Sequence, residues 1–265
     1  MEKQLPGVYI TQQKNGSTSY RSSITFRGKH ISLGSYDSAS SAHNAYCLSR
    51  EILSDSRLSL DDYTSASPLP FDKWVCLINF RDNGLYFATP IYIRPKFFYY
   101  YFSKGNFFLF DKEDLFYYSS HRISVRGGHY YVADYGMQVN IMNRYGIRNY
   151  AVEGRDYRFK NGNNRDYRYE NIEIINRYYG VRKVLKNGFE QYRVTIHIKG
   201  NLTVGIYATE TEAAIAYNKA IDLLKKAGVD RNYVPNYLEN ISPAAYADIY
   251  SSLVIAPGIV NYRSE

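Results

Sequence analysis

Between residues 192 and 199 apolar and polar side chains alternate without a break: Tyr192, Val194, Ile196 and Ile198 against Arg193, Thr195, His197 and Lys199. A period of two predicts a strand with one face for a core and one polar, basic face. Gly200-Asn201 predicts a turn, and Leu202 and Val204 then point to the same inner side as Ile196. Beyond them the period changes to that of a helix. Thr209 is placed to cap it, Glu212 to close a capping box, and Ala213, Ala216, Tyr217, Ala220, Ile221 and Leu224 form one apolar stripe ending near Gly228.

The same pattern stands at the other end of the chain. Tyr20, Ile24 and Phe26 alternate with Arg21, Ser23, Thr25 and Arg27, Ile31 and Leu33 supply the next inner pair, and a helix is predicted from about Ser38 to Leu53. Ile24/Ile196 and Gly28/Gly200 are both 172 residues apart, and Gly34/Gly205 and Tyr46/Tyr217 both 171. A nearly constant offset of this kind marks an internal repeat. The fold class expected is α+β, with two three-stranded antiparallel sheet-plus-helix modules flanking a β-rich middle.

Four segments follow: a module over residues 1–53, a linker over 54–70 that is expected to be extended and partly flexible, a middle domain over 71–176, and a second module over 177–265 that includes a C-terminal helical extension opened by Ser242-Pro243. In the middle, residues 74–80 and 85–93 predict two strands joined by a turn at Arg81-Asp82-Asn83-Gly84, and residues 97–102 and 107–110 a second hairpin around Lys104-Gly105-Asn106.

Composition and charge narrow the partner. Among 265 residues there are 30 tyrosines, whose rings pack in a core while their hydroxyls reach polar groups, and the net charge is +8. The excess is spread as +3, +2 and +3 over residues 1–53, 54–176 and 177–265, which fits a polyanion met along its length. Cys47 and Cys76 make neither a disulfide framework nor a metal knuckle, and a reduced, cytoplasmic setting is expected. Met1-Glu2-Lys3-Gln4 does not read as a secretory signal, and no run is long enough for a membrane span.

Gly-Val at 7–8 and 180–181, the aromatic-Arg strands, the Gly turns, Leu33-Gly34-Ser35-Tyr36, Val204-Gly205-Ile206-Tyr207 and the two Ala-rich helices ending in Tyr46 and Tyr217 together resemble the Apetala-two, or ethylene-response-factor-like, DNA-binding domain. The resemblance covers residues 5–53 and 177–228 and is closer in the second copy. It implies a sheet that enters the major groove of double-stranded DNA. The DNA-facing residues it implies are Arg182, Arg193, Thr195, His197, Asn201 and Thr203, and in the first copy Tyr9, Arg21, Ser23, Thr25, His30 and Ser32; the neighbouring cations Lys183, Lys199, Arg27 and Lys29 are further candidate DNA contacts. Plant members place Arg and Trp on this face. Here the single Trp is residue 74, so base preference is not carried over.

The order of elements in the middle resembles a His-Asn-His (HNH) homing endonuclease domain of bacterial and phage genes. Such a site needs a His to activate water and a divalent metal to take up charge on the scissile phosphate. Asp156, Asp166, Arg168 and Asn171 match the family pattern, but Asn143, Tyr157 and Tyr167 stand where its other polar residues belong, and a neutral tyrosine is a poor base. His121 and His129 lie near but at no motif position. The expectation is therefore a pseudo-nuclease with no catalytic residues, metal or cofactor, whose Arg155, Arg158, Lys160, Arg165 and Arg168 are left to contact phosphates. Transcriptional regulation in a bacterium or phage is the expected role. An active metal-dependent endonuclease and a phage anti-defence (anti-CRISPR-like) inhibitor, acting on an unidentified protein partner, are the alternatives.

Overall fold

The computed structural model of the chain describes residues 5–12 and 16–263; the N-terminal residues 1–4, expected not to form a signal, lie outside it, as do 13–15 and 264–265. Among the described residues the architecture is mixed α+β, with five small antiparallel sheets of two or three strands. The chain divides into two compact units, Met1–Asn140 with Asn163–Asn171, and Ile141–Gly162 with Ile172–Glu265.

The first unit opens with the strands β1 (Val8–Gln12), β2 (Thr18–Phe26) and β3 (Lys29–Tyr36), followed by helix α1 (Ala39–Ser54). Ser38 caps α1 by accepting from the Ser41 amide at 3.1 Å. Ala42 and Ala45 are fully buried, and Ile24, Ile31 and Leu33 pack against Ala45, Ile52 and Leu53. Small residues on the helix let it lie close on the sheet. Gly7 has a left-handed φ of 75°, and a Cβ there would run into the Tyr46 ring.

Residues 54–70 are not the extended, partly flexible linker that their Ser, Asp and Pro content predicts. Ser59 and Asp62 cap a 3-10 turn at Leu60–Asp62, with the Asp62 carboxylate taking the Ser59 amide at 2.7 Å. Leu58, Leu60, Tyr63 and the fully buried Leu69 pack into the core of the module, and the Tyr36 hydroxyl donates to the Pro68 carbonyl at 3.0 Å. The composition signals an absence of regular structure, and here the irregular backbone is held by side chains.

The hairpin expected over residues 74–93 is also absent. Residues from Phe71 to Asn83 form a helix, α2, and Gly84, expected in a hairpin turn, ends that helix with a φ of 73°. Trp74 through Phe80 are all buried. An apolar run without a period is compatible with either a strand or a helix buried on all sides, and the chain resolves it as the helix. Only Ile91–Ile93 (β4) is a strand. It pairs with β5 (Phe97–Ser103), which forms the expected hairpin with β6 (Asn106–Asp111). The short helix α3 (Leu115–Ser120) and the sheet of β7 (Ile123–Arg126), β8 (His129–Asp134) and β9 (Met137–Asn140) follow. The returning segment Asn163–Asn171 inserts Tyr167 beside Phe108 and Phe110, with ring centroids 4.7 and 5.4 Å apart.

The second unit contains a two-stranded sheet of β10 (Tyr157–Phe159) and β11 (Ile172–Ile174), after which the chain passes to the next strand with no intervening helix. Then come β12 (Val181–Lys186), β13 (Phe189–His197), β14 (Asn201–Tyr207) and helix α4 (Glu210–Lys226), with the expected Thr209–Glu212 capping box. Every residue of the expected stripe from Ala213 to Leu224 is buried against Val181, Val194, Ile196 and Val204. Helices α5 (Pro243–Ser252) and α6 (Pro257–Val260) complete the unit. The Ala256 amide bonds the Val204 carbonyl at 2.8 Å, and Ile255 and Ile259 join the core, so the C-terminal segment buttresses this sheet.

Candidate nucleic-acid interface

With α4 packed on one face of β12–β13–β14, the other face is set by the strand register. Arg182 lies opposite Arg193, and Arg193 opposite Ile206. After a register shift between Val194 and Thr195, Thr195 lies opposite Thr203 and His197 opposite Asn201. Arg182, Arg193, His197, Asn201 and Thr203 are exposed, while Thr195 is half-buried between them. Two arginines directly across from one another repel, which a sheet ordinarily avoids. Among the described residues neither has an acidic partner within ion-pair distance.

His197 Nδ1 stands 3.0 Å from Asn201 Oδ1, so with its proton there the ring donates to Asn201 and leaves Nε2 as an acceptor. Tyr233 donates to the His197 carbonyl and Arg231 to the Ile198 carbonyl, at 2.9 and 2.8 Å, fixing the end of the strand. Lys199 is exposed at the following turn. Lys183 departs from the expectation. Its register partner is Tyr192, on the α4 side, and its ammonium pairs with Glu190 at 2.7 Å, which raises its pKa.

The first sheet presents a less basic face. Arg21 sits between Tyr9 and Ser35, Thr25 Oγ1 lies 3.4 Å from His30 Nδ1, and Ser32 is exposed. Ser23 shares that face by register but is sunk into it, 8% exposed. Arg27 does not extend from it. Its φ of 47° belongs to the turn, its guanidinium lies 5.0 Å over the Phe26 ring, and Nη1 donates to the Phe80 and Arg81 carbonyls at the C-terminal end of α2. Lys29 reaches over the Tyr86 ring, on the same side.

The basic residues of the middle are already engaged to different degrees. Arg158 pairs with Glu173 at 2.9 Å, and Arg155 with Asp156 at 2.6 Å. Lys160 is exposed. In the other unit Arg165 donates to the Gly105 carbonyl at 3.3 Å, and Arg168 pairs with Asp166 and Glu170, which push its pKa up. These five residues therefore fall in two units.

The residues that match the nuclease pattern hold loops together. Asp156 is 2% exposed and accepts from Arg148, Arg155 and the Val152 amide. Burial alone would raise its pKa, but the Arg155 hydrogen bond, the Val152 amide and the Arg148 charge leave it lowered. Asn171 donates to the Asp166 carbonyl at 2.8 Å. Asn143 is exposed, and its carbonyl accepts from the Gly146 amide. Tyr157 is half-buried, which pushes its pKa up, and Glu153 and Asp156 add to the shift. Tyr167 is buried in the aromatic core. His121 stacks on Tyr117 at 4.2 Å, with Nδ1 bonded to the Tyr117 carbonyl and Nε2 at 3.6 Å from the Asp134 carboxylate; His129 is exposed. Among the described residues no three His, Cys, Asp or Glu side chains group closely enough to hold a metal ion, and no helix is long and apolar enough to cross a membrane.

Arg148 is the residue that sequence reasoning passed over. Its guanidinium donates to the Asn176 and Tyr178 carbonyls at 2.7 Å each and to Asp156 at 2.9 Å, locking the approach to β12. Nothing in the spacing of charges along the chain distinguishes it from its neighbours. Compared with protein-family models, curated proteins and solved structures, the chain matches none.

Proposed function

We propose that the chain binds double-stranded DNA in a sequence-selective way, with the open faces of the sheets β1–β2–β3 and β12–β13–β14 as the reading surfaces and the second as the principal one. The observation that carries this reading is the pair Arg182 and Arg193, exposed and directly opposed on β12 and β13. Two arginines held side by side on a rigid sheet, next to His197, Asn201 and Thr203, form a donor-rich surface that complements guanine edges and phosphates. The remaining basic residues would add contacts that position the duplex without reading it. The middle of the chain is then a degenerate His-Asn-His endonuclease-like region that no longer cuts. Occupation of a site by two modules would make the protein a regulator of transcription in the cytoplasm of a bacterium or in a phage-infected cell.

Selection of bound sequences from a random duplex pool, followed by affinity measurement across a salt series, tests this. A recovered motif and an affinity falling steeply with salt are expected. Failure to retain duplex at low salt, or cleavage of plasmid on adding magnesium or manganese, overturns the reading.

A further inference from the structure

The outer face of the second sheet does not end at the strands. A cavity of about 210 Å³ lies against it, lined by Arg182, Thr195 and Asn201 from the sheet and by Arg148, Arg155 and Asp156 from the segment preceding it. Its one acidic group has little capacity left. Asp156 Oδ1 accepts from Arg148, and Oδ2 from Arg155 and the Val152 amide, so its charge is offset by two guanidinium groups. The donors are not used up. Arg155 spends Nε and Nη2 on Asp156, leaving Nη1, and its side chain is 42% exposed. Arg182 has no ion-pair partner among the described residues. Asn201 is engaged through Oδ1, leaving its amide N–H groups. A cavity lined by three arginines and one neutralised carboxylate, with spare N–H and O–H donors, takes an anion.

We infer that this cavity is a socket for one phosphodiester group of the duplex backbone, gripped by Arg155, Arg182, Thr195 and Asn201. The inference rests on the proposed DNA-binding function and changes its division of labour. Thr195 and Asn201, expected to face bases, instead fix the register of the sheet on the duplex, and Arg193 and His197 are left to read sequence.

Two measurements on the full chain separate this socket from the larger reading. The first is titration with inorganic phosphate, followed through the backbone amide resonances of Gly180, Val181 and Thr195. Saturable shifts are expected in the wild type and are expected to be lost in Arg155→Gln and Arg182→Gln. Arg155→Gln disturbs the Asp156 pair, whereas Arg182→Gln removes no internal partner and keeps the test valid if the first variant unfolds. The second is duplex binding across a salt series. Each of these variants is expected to lower the slope of log affinity against log salt by about 1 and to weaken all duplexes by the same factor. Thr195→Val is expected to weaken all duplexes equally, with no change in base preference. The socket is overturned by an absence of saturable phosphate shifts, by an unchanged salt slope in both arginine variants, or by an altered base preference in Thr195→Val. Phosphate shifts without duplex binding would overturn the DNA-binding function while leaving the anion site in place.

Discussion

The Tyr207 hydroxyl donates to the Val254 carbonyl across 2.9 Å, tying the last strand of the second sheet to the chain that follows α5. Tyr36 makes the corresponding bond to Pro68 in the first module. Each tyrosine thus anchors the segment that returns over its own module. Tyr207→Phe keeps the ring and removes only the donor, and is expected to cost about 1 kcal/mol in urea unfolding. Burial pushes the Tyr207 pKa from 10.0 to about 12. A folded-state pKa above the unfolded one stabilises the protein fully below pH 10, and that contribution is lost as pH rises through 12. The difference between wild type and Tyr207→Phe is therefore expected to shrink across this window. A constant difference from pH 8 to 12 would show that the hydroxyl is not what holds the segment.

The glycine of the Gly-Val motif at 180–181 is required by sterics, whereas the turn glycine of the first module, Gly28, is not. At Gly180, φ is 70° and a Cβ would meet both the Tyr217 ring and the Thr195 carbonyl; at Gly28, φ is 75° but nothing lies within 4 Å. Gly28→Ala is expected to cost about 1 kcal/mol, from backbone strain alone. Gly180→Ala adds a clash with backbone that cannot move without breaking the Thr195–Gly180 hydrogen bond of 2.9 Å, and is expected to cost more than about 3 kcal/mol. Equal losses in paired denaturation curves would mean that the helix is not seated against β12 as described.

This contrast explains what could be read from the chain. The modules were legible because their cores repeat with a regular period and the repeat supplies a second reading of each position: Val194, Ile196 and Val204 are buried as alternation requires. The helix at Trp74–Phe80 was not, because seven buried residues in a row erase the period. The positions of Arg27 and Lys183 were not, because alternation assigns a side to a residue but the turn at Arg27 and the pairing of Lys183 with Glu190 redirect their charges. The cavity beside Thr195 joins residues as far apart in the chain as Arg148 and Asn201, and no local pattern announces it.

Asp156 illustrates a motif residue with a structural task. Asp156→Asn keeps the shape but leaves the Arg148 guanidinium, 13% exposed, without a counter-charge. A loss of about 3 kcal/mol is expected at neutral pH. The Asp156 pKa is lowered in the folded state, so its contribution is complete above the ordinary carboxylate range and disappears as pH falls below it. Wild type and Asp156→Asn are expected to converge in thermal unfolding at low pH. Equal stability at neutral pH would return Asp156 to the list of groups held for another purpose.

Arg182 and Arg193 set fold against function. Opposed like charges on neighbouring strands cost the sheet a few tenths of a kcal/mol to about 1 kcal/mol, and among the described residues no acid pairs with either arginine. Arg193→Gln is therefore expected to leave stability unchanged or to raise it slightly, while the preference for the selected duplex over its single-base variants falls by about 1–3 kcal/mol at one position. A residue that merely solvates a strand would behave differently, since its replacement would change neither quantity by a measurable amount. His197→Ala separates the contributions further. It removes the ring held by Asn201, so a change in base preference is expected. Should Arg193→Gln destabilise the fold and leave selectivity intact, the arginine pair serves the sheet, and the reading face must be sought elsewhere.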